Sequence, residues 1–113
     1  MKKIISIFIV VILFGACSQK TLYSWDNYNS SSYSYLKNND DKSISELKTT
    51  YENIINNQTG TRNAIPPGIY ADYGFILLQM NQTEQGKKML KNEIALYPES
   101  KVFIERILKL FEE

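Results

Sequence analysis

The chain has 113 residues, with 13 basic and 12 acidic side chains, a formal net charge of +1, one cysteine and no histidine. That length provides for one domain. The lone cysteine excludes an intramolecular disulfide, and the lack of histidine removes the commonest general base and metal ligand. Together they leave no Cys/His zinc site, and the near-neutral balance offers no basic excess for a phosphate backbone.

Met1-Lys2-Lys3 is a short positive segment, and Ile4 to Phe14 is apolar except for Ser6. The small residues Gly15 and Ala16 then precede Cys17. This order is that of a secretory signal peptide, predicted over residues 1–16. The apolar run is shorter than the roughly 20 residues a spanning helix needs. Phe14-Gly15-Ala16-Cys17 resembles a bacterial lipobox, although Phe14 stands where leucine is usual. The resemblance implies that a lipid joins the Cys17 sulfur, the leader is cut before it, and the new amine is acylated. Cys17 is therefore the expected lipidation residue, and 17–22 the expected lipidated tether. Two or more acyl chains hold a protein stably on a membrane. Ser18 stands where an aspartate would favour inner-membrane retention. By the same resemblance the protein is placed on the outer membrane, on its periplasmic face. Cleavage also removes Lys2 and Lys3, which turns the formal charge slightly negative.

From Tyr23 the chain turns aromatic, with Tyr23, Trp25, Tyr28, Tyr33, Tyr35 and Leu36 spaced by Asn and Ser. The spacing predicts a first helix from Asn27 to Lys37, capped by Asp26 or Asn27 and broken by Asn38-Asn39-Asp40-Asp41. Ser43 and Glu46 form a capping box for a second helix. Its apolar stripe is Ile44, Leu47, Tyr51, Ile54 and Ile55, and it runs to Asn57. Gln58 to Asn63 is a turn-rich linker. Pro66-Pro67-Gly68 leads into a third helix with proline in its first turn. There Ile69, Tyr73, Leu77 and Met80 are the apolar positions, and Ala71 and Gly74 lie on the surface. Asn81-Gln82-Thr83 is a turn, and Thr83 or Asn81 caps a fourth helix to Tyr97, with Met89, Leu90, Ile94 and Tyr97 apolar. Pro98 stops it. Ser100 caps a fifth helix with Ile104, Ile107, Leu108 and Phe111 as its buried stripe. No stretch combines strand alternation with strand punctuation. The expected fold is all-α, a small array of helical hairpins forming one domain over 23–113.

Residues 67–100 fit the tetratricopeptide pattern of about 34 residues. Pro67 opens it, Tyr70, Tyr73, Gly74 and Leu77 occupy its first helix, and Gly86, Leu90 and Pro98 its second. The two glycines let the helices approach. The fifth helix, over 101–112, serves as a cap, and the first two helices form a divergent pair. Glu93 departs from the pattern, which usually has alanine there. A carboxylate at a helix seam needs a partner, and the expectation is a bridge to a lysine or a tyrosine hydroxyl.

Several segments carry a wider likeness. They are Leu22-Tyr23-x-Trp25-x-x-Tyr28, Tyr33-x-Tyr35-Leu36-Lys37, Pro66-Pro67-Gly68-Ile69-Tyr70-Ala71, Glu93, and Tyr97-Pro98-Glu99-Ser100-x-x-Phe103. The chain resembles the bacterial lipoprotein family catalogued as domain of unknown function 4810. Asp26 replaces the usual glycine of that family, and Gly86 the usual alanine. The resemblance implies a small envelope lipoprotein without established activity. It also implies partnership with other outer-membrane lipoproteins, including ones similar to the curli-secretion channel, and a structural role for Glu93.

The expected function is an anchored protein-interaction module, or accessory subunit of an envelope complex, without catalysis. Its candidate surface is Tyr23, Trp25, Tyr28, Tyr33 and Tyr35, since Tyr and Trp dominate interface hot spots. The competing reading has the same rings filling core. A second function would be peptidoglycan or other ligand binding by stacking on Trp25 and the tyrosines. A third would be a cell-wall hydrolase pairing Asp72 with Glu93. Lys87, Lys88 and Lys91 read as a solvated face. No cofactor, metal or nucleic acid is expected.

Overall fold

A computed structural model describes residues 1–4 and 19–112. Cys17, Ser18 and the apolar run of the leader after Ile4 lie outside the described residues. From residue 19 onward the order is α1 (Tyr28–Asn38), α2 (Asp41–Asn56), α3 (Ile69–Gln79), α4 (Thr83–Leu96), a 3-10 turn (Pro98–Ser100) and α5 (Lys101–Leu110). The protein is all-α, as the periodicity predicts, with no strand among the described residues.

The helix starts differ from expectation, each for a local reason. Asn27 precedes α1 but makes no side-chain cap. Asp26 is in the left-handed region at φ 45. Its carboxylate accepts instead from the Asn53 amide of α2, at 3.2 Å. The break at Asn38–Asp41 shrinks to two residues, the left-handed Asn39 and the extended Asp40. Asp40 then caps α2, its Oδ1 accepting from the Ser43 N–H at 2.8 Å. The Asp40 N–H donates back to the Ser43 hydroxyl at 3.1 Å, so the box is Asp40 with Ser43 and not Ser43 with Glu46. Glu46 is left in an exposed pair with Lys42, 3.9 Å apart.

Pro66 and Pro67 precede α3 and do not enter its first turn, because Gly68 at φ 90 is the residue that caps it. Only glycine adopts that conformation without strain. Neither Asn81 nor Thr83 caps α4; Gln82 precedes it without a side-chain bond. Ser100 closes the 3-10 turn through its hydroxyl on the Tyr97 carbonyl, at 2.7 Å, and does not cap α5.

Two apolar clusters form the core. Leu47, Tyr51 and Ile54 of α2 pack on Ile69, Tyr73, Ile76 and Leu77 of α3. Leu78, Leu90 and Ile104 join α3, α4 and α5. Gly74, expected on the surface, is buried in the α3–α4 seam. A Cβ there would stand 2.9 Å from the Gly86 carbonyl oxygen and the Leu90 Cγ. Met80 is exposed, and Ile76 and Leu78 take its place in the core. In α5 only Ile104 is fully buried. Ile107 and Leu108 are half-buried, and Phe111 lies exposed at the edge against the Phe75 ring.

Candidate functional site

The segment before α1 is fastened to the body by backbone. Thr61 and Arg62 donate their N–H groups to the Thr21 and Leu22 carbonyls, at 3.0 and 3.1 Å. The Gln58 amide brackets Ser24 from both sides, receiving its N–H and donating to its carbonyl. The expected tether at 17–22 is therefore already paired at Thr21 and Leu22.

The rings that follow run inward as a ladder. Tyr23 meets Trp25 edge-on at 6.3 Å between centroids. Trp25 meets Tyr28 at 5.7 Å, Tyr28 meets Tyr51 at 6.0 Å, and Tyr51 stacks on Tyr73 at 5.4 Å. These spacings are those of favourable aromatic pairs. Of the five candidate partner residues, Tyr23 and Tyr28 are half-buried in such contacts, Tyr35 is half-buried against the α2–α3 core, and Trp25 is 42% exposed. Tyr33 is 65% exposed and forms no rung of the ladder.

A second cluster surrounds Glu93. The Arg62 guanidinium donates to the Tyr23 hydroxyl at 3.0 Å. The Tyr97 hydroxyl, beside that of Tyr23, donates to the Ile65 carbonyl at 2.5 Å. Burial, helped by the neighbouring Tyr23 and Glu93, pushes the Tyr97 hydroxyl up to about 12. Glu93 is 2% exposed. Its Oε1 accepts from the Gly68 N–H at 2.8 Å. Its Oε2 has no hydrogen-bond partner. The partner anticipated as a lysine or tyrosine is thus the backbone at the start of α3, where the helix dipole favours negative charge.

The repeat residues act in packing. Leu77 and Leu90 are fully buried, and Gly74 faces Gly86 across the seam. Tyr73 donates to Glu52 at 2.7 Å. Tyr70 is half-buried, Pro67 is exposed ahead of α3, and Pro98 opens the 3-10 turn.

Between α1 and α3 runs an open groove of about 230 Å³. Tyr28, Tyr35 and Leu36 form one wall, Phe75 and Gln79 the other, and Tyr51 the floor. Asp72 is its acid. The Tyr28 hydroxyl donates to Asp72 Oδ2 at 3.0 Å, and that of Tyr35 to Gln79 at 3.5 Å. Asp72 keeps surface exposure at the groove mouth, and the part of its carboxyl that the rings cover raises its pKa above the ordinary value, an effect the Tyr28 bond only partly offsets. No lysine or arginine forms an ion pair with Asp72 among the described residues. Asp72 and Glu93 serve different surroundings, the groove and the α3–α4 seam, and share no partner.

Sequence reasoning missed two surface features. Leu36 is 80% exposed at the groove rim. On α5, Val102, Phe103 and Leu110 are 64%, 62% and 73% exposed, away from the Ile104 stripe. Their spacing, with Arg106 between them, carried the signal of a second helical face. Among the described residues no group of three or more acids or cysteines is placed to hold a metal ion, and no helix is long and apolar enough to cross a membrane.

Fold and groove define a small all-α domain with an aromatic N-terminal segment wrapped onto a helical hairpin. Residues 22–107 match the family model described as Domain of unknown function (DUF4810), and the chain belongs to that family. No curated protein and no solved structure matches it.

Proposed function

We propose that the protein is a lipid-anchored helical docking module of the bacterial envelope, without catalysis, held on the outer membrane through Cys17. The observation that carries this reading is the amount of apolar surface a small domain leaves open. Leu36 rims the α1–α3 groove, Tyr33 is exposed elsewhere on α1, and Val102, Phe103 and Leu110 are exposed on α5. Contiguous exposed apolar patches mark interaction sites. Residues 67–100 support the same reading. Their tetratricopeptide-like spacing coincides with the α3–α4 hairpin closed at Gly74 and Gly86, and helix arrays of that kind bind partners on their faces. The leader pattern and the cysteine behind it support the anchor. The partner proposed is another envelope lipoprotein, of the type similar to the curli-secretion channel.

Crosslinking in the native envelope followed by purification tests the docking role: a reproducible partner is expected, and none would remove the reading. The anchor has its own test. Cys17→Ser is expected to release the protein from washed membranes and to make its processing insensitive to globomycin.

A further inference from the structure

Two surfaces of this chain are each incomplete, and they complement one another. The α1–α3 groove is aromatic and apolar, holds the Asp72 carboxylate, and supplies that carboxylate with a tyrosine hydroxyl but no cation among the described residues. The outer face of α5 is the converse. Val102, Arg106 and Leu110 follow one another at four-residue intervals, and Phe103 lies beside them, so all four share a face. That face is exposed, and Arg106 makes no ion pair among the described residues. Its apolar side chains flank one guanidinium, as the groove's apolar walls flank one carboxylate.

We propose that the groove between α1 and α3 receives helix α5 of a second copy of this chain, with Arg106 of one copy reaching Asp72 of the other. This is helix-in-groove recognition, in which anchors one turn apart enter an apolar trough. The match of charge selects the occupant. A carboxylate set among rings favours a cation with an apolar stem, and guanidinium also stacks on aromatic faces. The groove has space for one large side chain and a neighbour, which Phe103 and Arg106 supply. The α5 stripe that faces inward, around Ile104, stays in the core of its own copy. The helix therefore needs no unfolding to dock. Apolar contact supplies the affinity, and the ion pair fixes which face enters.

The test uses the full chain, carried in one bacterial host with two different epitope tags and extracted from membranes in mild detergent. The second tag is expected to co-purify with the first. Asp72→Arg or Arg106→Asp, each placed in both copies, is expected to reduce recovery at least about tenfold, because like charges then face each other across the contact. Both changes in the same chain restore it. Leu110→Glu, at an exposed position outside the groove, gives the same loss, and circular dichroism of each variant shows its helices retained. Absence of co-purification for the unaltered chain overturns the proposal. So does recovery indifferent to the single changes, or a double variant that stays separate. A different envelope protein in the eluate, insensitive to Asp72 and Arg106, would leave the docking function standing while removing self-association.

Discussion

Glu93 is held by the chain's own backbone, and it is the residue where a local anomaly in the sequence pointed correctly to a need but not to its answer. A carboxylate in place of the pattern's alanine had to find a partner. Nothing in the spacing could name the Gly68 N–H, which is presented only because Gly68 turns left-handed before α3. Glu93→Ala leaves that N–H without its acceptor and is expected to cost about 1–3 kcal/mol, read from urea unfolding. Glu93→Gln keeps an acceptor and should cost less than half as much. Asp72 makes a prediction in pH. Its native pKa lies above the unfolded value, so between the two the folded state binds more protons. Stability from this group is greatest below the unfolded pKa and declines as pH rises through the native one. Asp72→Asn retains an acceptor for Tyr28 and removes the decline, which urea midpoints taken upward from about pH 4 would show. Asp40 works in the opposite sense. Its carboxylate is lowered by the Ser43 N–H and hydroxyl, so its contribution is lost as pH falls through the native value.

Helix by helix, the apolar period was readable and the boundaries were not. Leu47, Tyr51 and Ile54, then Ile69, Tyr73 and Leu77, were legible as core because burial repeats with the helical turn. The start of α2 was misplaced because two capping patterns overlap, Asp40 with Ser43 and Ser43 with Glu46. The left-handed Asn39, directly after α1, decides between them by placing the extended Asp40 at the α2 cap, and an asparagine at that point is compatible with either pattern. The α3–α4 hairpin depends on backbone proximity. Gly74→Ala would force a methyl to within 2.9 Å of the Gly86 carbonyl, which is backbone and cannot swing aside. The expected loss is about 1–3 kcal/mol, as for other overpacked sites, measured by thermal or urea unfolding. Gly86→Ala meets the Gly74 carbonyl at 2.8 Å and should behave alike.

Across the whole molecule, the contact that matters most joins the N-terminal segment to the loop after α2, and it was invisible in advance because it spans distant residues. Gly60 read as an ordinary turn glycine. A Cβ on it would run into the Leu22 carbonyl oxygen and the Tyr23 Cα, both backbone atoms. Gly60→Ala is therefore expected to lift the segment off and open the outer rungs of the ladder. Trp25 is the single tryptophan, so its emission should shift to the red while α3 and α4 keep their helicity. The aromatic content is explained by the same feature, since Tyr23, Trp25 and Tyr28 extend a small core outward along one line.

That fastening also sets a length. Under the anchoring proposed at Cys17, the chain from the lipid to the first paired carbonyl, at Thr21, can span no more than about 14 Å when fully stretched. The domain is then no buoy on a long line. It rides close against the head groups, with the loop bearing Thr61 and Arg62 on its underside, and whatever it engages must come to it within a shallow layer beside the bilayer.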